Sequence, residues 1–146
     1  MEIYEEKLWF ISSTVSRIDQ AILYRFMENG HFERYLNKLR KIYKGKHDLL
    51  LECLNPFKKA FSIEGEHAGL HVLLADKRGS SEDRLLSQAK EADCRVYGLS
   101  GYRLEPVDEK EKAEIKTPAT IVIGYGGLTE KQIREGTERL KKAWQI

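Results

Sequence analysis

Four groups of residues in this chain of 146 have types and spacings that could do chemistry. Gly124-Tyr125-Gly126-Gly127-Leu128-Thr129 stands between an apolar run and an amphipathic one. Glycines there let a backbone approach a phosphate, and a helix N-terminus favours anions. A dinucleotide fingerprint, however, requires glycine where Thr129 stands. The segment therefore reads as a tight strand-to-helix turn. His67 and His71 have a spacing that chelates a metal on a helix. On a strand the same spacing separates them by roughly 13 Å, at about 3.3 Å per residue, too far for a shared zinc. Arg34, Lys38, Arg40, Lys41, Lys44 and Lys46 could meet phosphates, but no base-reading pattern accompanies them, and they read as a solvated helix face. Cys53 and Cys94 have no C-x-x-C spacing, so both read as reduced, apolar side chains. No serine lies in a G-x-S-x-G elbow.

These residues act only as their elements position them. Ser12-Ser13-Thr14 offers hydroxyls for a helix start, and Val15, Ile18, Ile22 and Phe26 keep helical spacing to about Glu28. Asn29-Gly30 stops it. A longer helix is predicted from His31 to about Leu54, with Phe32, Leu36, Leu39, Tyr43 and Leu50 along its stripe. Gly45 interrupts it at a cost of roughly 1 kcal/mol, and Asn55-Pro56 ends it. Phe61 to Ala75 reads as two antiparallel strands joined between Gly65 and Gly69. Ser80 or Ser81 caps a third helix, with Glu82 and Asp83 in its first turn. Cys94 to Leu99 is a third strand, Glu105 to Lys116 an exposed loop, and Thr120 to Tyr125 a fourth strand. Thr129 and Gln132 form a capping box, flanked by the staple Leu128 and Ile133. They open a last helix that turns Ile133, Leu140 and Trp144 inward and places Gly136 at a close approach.

The order α-α-β-β-α-β-β-α predicts an α+β fold, a small, mainly antiparallel sheet with helices over one face. The length fits one domain over 1–146, with residues 1–13 extended or poorly ordered. Lys and Arg number 25 against 23 Asp and Glu, a net charge of +2, without the basic bias of a dedicated nucleic-acid binder. No apolar run reaches the roughly 20 residues of a membrane span, and the acidic opening Glu2-Ile3-Tyr4-Glu5-Glu6 is unlike a signal peptide. A cytoplasmic protein is expected.

From Phe10 to Trp144 the chain resembles the C-terminal part of the aminotransferase-like domain of MocR/GabR-type transcriptional regulators of the GntR superfamily. The runs that carry the resemblance are Phe26-Met27-Glu28-Asn29-Gly30-His31-Phe32, Leu39-Arg40-Lys41-Ile42-Tyr43, Ala68-Gly69-Leu70-His71, Tyr97-Gly98-Leu99-Ser100-Gly101-Tyr102, Ile123-Gly124-Tyr125-Gly126 and Ile133-Arg134-Glu135-Gly136. The resemblance implies a fold like the C-terminal small domain of fold-type-I pyridoxal phosphate (PLP) aminotransferases. It also implies a parent with an N-terminal winged helix that binds DNA, a large domain, a partner subunit, and a small amino compound as effector. The family's Schiff-base lysine segment lies upstream of Phe10, so PLP belongs to the parent and no covalent attachment to this chain is expected.

In GABA-responsive members of that family, the residue after the motif serine is an arginine that holds the effector's carboxylate. Here that residue is Gly101, and an arginine follows two positions later as Arg103. On an extended segment the two share a face, so Ser100, Gly101 and Arg103 are the candidate effector residues. Two other readings stand beside the regulator: the small domain of a genuine PLP-dependent aminotransferase, and a free-standing interaction module.

Overall fold

The computed structural model describes residues 15–67, 69–102 and 118–146. The chain forms two compact units, one ending at Lys41 and one running from Ile42 to Ile146. The expectations for residues 1–13, Ser12-Ser13-Thr14 and the loop Glu105 to Lys116 lie outside the described residues.

The first unit holds α1 (Arg17–Glu28) and the opening turns of α2 (His31–Cys53). Ser16 caps α1, its hydroxyl accepting from the Ile18 amide. The helix therefore starts at Arg17, two positions after Val15, where the apolar spacing begins. Gly30 makes the corner at φ 69°, a conformation glycine adopts without Cβ cost. Across that corner the Phe26 ring stacks on His31 at 5.9 Å. No residue of α1 is buried, and Ile18, Ile22, Leu23 and Met27 are all more than half exposed.

The second unit is built on one antiparallel sheet of β1 (Phe61–Glu64), β2 (His71–Asp76), β3 (Tyr97–Gly98) and β4 (Thr120–Gly124), in the order β1-β2-β4-β3. The register pairs Ile63 with Leu74, Leu74 with Ile121, and Val72 with Ile123. Strand side chains alternate between faces, so these residues and Phe61 share one face, and they belong to the hydrophobic core or pack against it. Leu49 and Leu50 from the end of α2, Leu54 just past it, Leu85 and Ala89 from α3 (Glu82–Glu91), and Ile133 and Leu140 from α4 (Glu130–Ala143) join that core. The α+β architecture and the antiparallel sheet are those the sequence predicts. Gly45 lies inside an uninterrupted α2. Past its end, Pro56 opens a short 3-10 helix, Asn55–Lys59, that buries Phe57.

Two local readings change. The third strand is only Tyr97–Gly98, and Leu99–Tyr102 winds into a 3-10 turn. At Gly136 the Cys94 thiol approaches the carbonyl at 3.6 Å, but among the described residues nothing lies within 4 Å of where a Cβ would stand. The capping box of α4 forms as predicted, with Thr129 and Gln132 bonding reciprocally.

Candidate functional site

The predicted effector segment lies where β3, an edge strand, gives way to the turn at Leu99–Tyr102. Ser81 caps α3 by accepting from the Arg84 amide, which sets Glu82 in the first helical turn. A carboxylate is favoured there by the helix dipole. Its side chain reaches across to the turn: Ser100 Oγ donates to Glu82 Oε1, and the Ser100 amide donates to Oε2 at 3.3 Å. A Cβ on Gly98 would collide with the Glu82 carboxylate, so the glycine is what lets the carboxylate lie over the strand. The chain leaves strand geometry at Leu99, and the double grip ties the turn that follows to α3. The extended spacing that relates Gly101 to Arg103 therefore does not hold at Gly101, and Arg103 lies outside the described residues.

Ser100 and Gly101 are both exposed. The Ser100 hydroxyl proton is committed to Glu82, leaving its oxygen as an acceptor. Among the described residues nothing lies within 4 Å of a Cβ on Gly101, and Tyr102 beside it is 63% exposed. The turn thus presents a hydroxyl oxygen and an aromatic ring to solvent on a backbone fixed by Glu82. Glu82 is the residue that sequence reading missed. It appears in the sequence as a first-turn acid, and its partner is 18 positions away.

The glycine turn after β4 has a packing explanation. A Cβ on Gly126 would meet Leu70 Cδ1 at 2.9 Å, the Gly126 carbonyl accepts from Lys46 Nζ at 2.9 Å, and the Tyr125 amide donates to the Leu70 carbonyl. His67 sits in the β1–β2 turn with its ring almost wholly exposed, and His71 opens β2. No cluster of three metal-ligating side chains occurs among the described residues.

The arrangement of helices on an antiparallel sheet is that of the small domain of fold-type-I aminotransferases. The multiple substrate aminotransferase of Thermococcus profundus superposes with a TM-score of 0.71 at 20% identity, covering 86% of this chain and 29% of its own. LysN, an α-aminoadipate aminotransferase of Thermus thermophilus solved with N-(5'-phosphopyridoxyl)-L-leucine, gives 0.68 at 22% identity, over 86% of this chain and 30% of its own.

In sequence, the chain is similar to part of two HTH-type transcriptional regulators and of a MocR regulatory protein. It is 33% identical to the uncharacterized regulator YhdI of Bacillus subtilis over 146 residues, 99% of this chain and 29% of the relative. It is 32% identical to YdeL of the same organism, over 91% of this chain and 27% of the relative. It is 23% identical to MocR of Rhizobium meliloti, a probable rhizopine catabolism regulatory protein, over 86% and 24%. The chain thus spans less than a third of the length of these curated relatives. No protein-family model matches it.

A PLP-binding amine has to be desolvated enough to lose its proton, and the described lysines do not fit that role. All are exposed except Lys46 and Lys141. Lys46 donates to the Gly126 carbonyl at 2.9 Å, and Lys141 lies 3.9 Å from Glu138. Among the described residues no helix is long and apolar enough to cross a membrane.

Proposed function

We propose that this chain is the C-terminal effector-domain part of a PLP-dependent GntR/MocR-type regulator, and that it closes the effector site and supports dimerisation in the parent. The observation that carries this reading is the match to two HTH-type regulators along 91–99% of the chain. The aminotransferase-like fold supports PLP as the parent's cofactor. The exposed apolar face of α1 supports a helix made to be covered. DNA contact belongs to an N-terminal winged helix of the parent, in a cytoplasmic protein.

In that role the turn at Ser100 and Gly101 faces the effector, and Arg103 supplies a guanidinium fork to its carboxylate. The test is made on the complete gene product. It is expected to bind PLP and promoter DNA, with DNA affinity changed by an amino-compound effector found by screening. Arg103→Ala weakens that effector by roughly 1.5–3 kcal/mol, the scale of a charged hydrogen bond, and leaves PLP and DNA affinity unchanged. Transaminase turnover without DNA binding would instead favour a genuine aminotransferase.

The 146-residue chain by itself forms no stoichiometric adduct with PLP. After borohydride reduction and digestion, peptide mapping is expected to find only scattered trace label. One fully labelled lysine would refute this.

A further inference from the structure

A cavity of about 400 Å³ lies within the second unit, between α4, the end of β4 and the segment Cys94 to Val96. It is separate from the Ser100 turn, which it does not include. We propose that this cavity is a binding site for a neutral, flat, apolar molecule of the aromatic-ring class.

The size is that of a small-ligand pocket, about 300–1,000 Å³. Leu50, Val96, Ile123, Leu128, Ile133 and Leu140 supply its apolar walls. Gly136 supplies the strongest argument. It stands in the interior of α4, where glycine costs about 1 kcal/mol relative to alanine. Yet among the described residues no atom lies within 4 Å of where its Cβ would be. Gly124, on the opposite wall, is equally open. Among the described residues no side chain fills the Cβ position of that glycine; what the glycine provides there is room.

The polar groups of the lining define the chemistry of the occupant. Thr137 Oγ donates within its own helix, 2.8 Å from the Ile133 carbonyl. Gln132 is held in the capping box. Arg139 pairs with Asp93 at 2.9 Å, and the Arg95 guanidinium lies 5.4 Å from the Tyr97 ring centroid. Among the described residues no buried side-chain nitrogen or oxygen lacks a partner. These groups, and Glu135 at 3.7 Å from Lys131, have partners on the chain, and the surface left to an occupant is mainly apolar.

The Cys94 thiol also lines the cavity, 3.6 Å from the Gly136 carbonyl. Burial pushes it above the ordinary thiol range, with Asp93 adding to the shift and Arg139 opposing it. A neutral sulfur beside an apolar wall favours the edge of an aromatic ring.

Indole is the probe. Titrated into the 146-residue chain near neutral pH, it is expected to shift the amide resonances of Val96, Gly124 and Gly136 saturably, while those of Ser62 and Ser100 stay in place. Gly136→Leu fills the space with side chain and weakens the apparent affinity by roughly tenfold or more. Gly136→Ala adds one methyl group, favours the helix, and weakens it by about two- to fivefold. The alanine variant decides the matter if the leucine variant fails to fold. Absence of saturable shifts in the parent chain overturns the proposal. So does a folded Gly136→Leu or Gly136→Ala variant that binds indole as tightly as the parent.

Discussion

Trp144→Ala is expected to lower the unfolding free energy by about 3–5 kcal/mol, the range for truncating a large buried aromatic. Trp144 is 2% exposed and sits just past the end of α4. Its ring lies 5.2 Å from Phe61 and 6.1 Å, edge-on, from Phe57. Its Nε1–H donates to the Leu85 carbonyl in α3 at 3.1 Å. One side chain thus joins α4, α3, β1 and the short helix that carries Phe57. Trp144→Phe keeps most of the ring and loses the donor, so it should cost only about 1 kcal/mol. Urea denaturation checks both, with the slope m unchanged if the transition stays two-state. An alanine variant within about 1 kcal/mol of the parent would show that the aromatic cluster is not the centre of the core.

The second large effect lies at the end of β2. The Asp76 side chain is fully buried and pairs with Arg78 Nε at 3.1 Å. It also accepts from the Arg78 and Ser80 amides at 3.0 and 2.8 Å. Burial by itself raises the Asp76 pKa; the Ser80 amide and Arg78 together outweigh it and hold the carboxyl below its ordinary value. A depressed carboxylate contributes stability above the unfolded-state pKa of about 4 and loses it as pH falls through the folded value. Wild-type stability should therefore keep this contribution down to about pH 4 and lose it below.

Arg78→Ala removes the ion pair, the bond from Arg78 to the Trp144 carbonyl at 2.8 Å, and the guanidinium over the Phe61 ring. The expected loss is about 2 kcal/mol at neutral pH, under the range for wholly buried pairs because the arginine is 35% exposed. The acid-dependent loss should begin at higher pH in the variant, since burial then opposes ionisation with only the amides against it. Stability measured by denaturant from pH 3 to 7 reads both. Parallel pH profiles for parent and variant would separate Asp76 from acid sensitivity.

What was legible in the sequence is what is local. The capping box needs only Thr129 and Gln132, three positions apart, and the hairpin needs only two alternating runs around Gly65 and Gly69. The α+β class followed from the order of such elements. The α1 cap fell outside that logic, because Ser16 sits within the apolar spacing that begins at Val15. The site was legible only as a resemblance. Its shape depends on Glu82 gripping Ser100, and no periodicity connects a first-turn acid to a serine at the far end of an edge strand. The bond from Arg78 to Trp144 spans 66 positions and is equally silent. Gly136 misleads for a different reason: a glycine in a helix signals either contact or vacancy, and one sequence does not tell them apart.

The sheet's two outer strands, β1 and β3, have four and two residues. So little free edge, with Lys58 and Lys59 just before β1, is a poor template for strand-by-strand growth into fibrils. For the chain made by itself, the hazard to solubility moves from the sheet to α1, whose uncovered isoleucines, leucine and methionine favour amorphous association. Charged replacements on that helix, rather than on either sheet edge, are the changes that should keep the chain in solution.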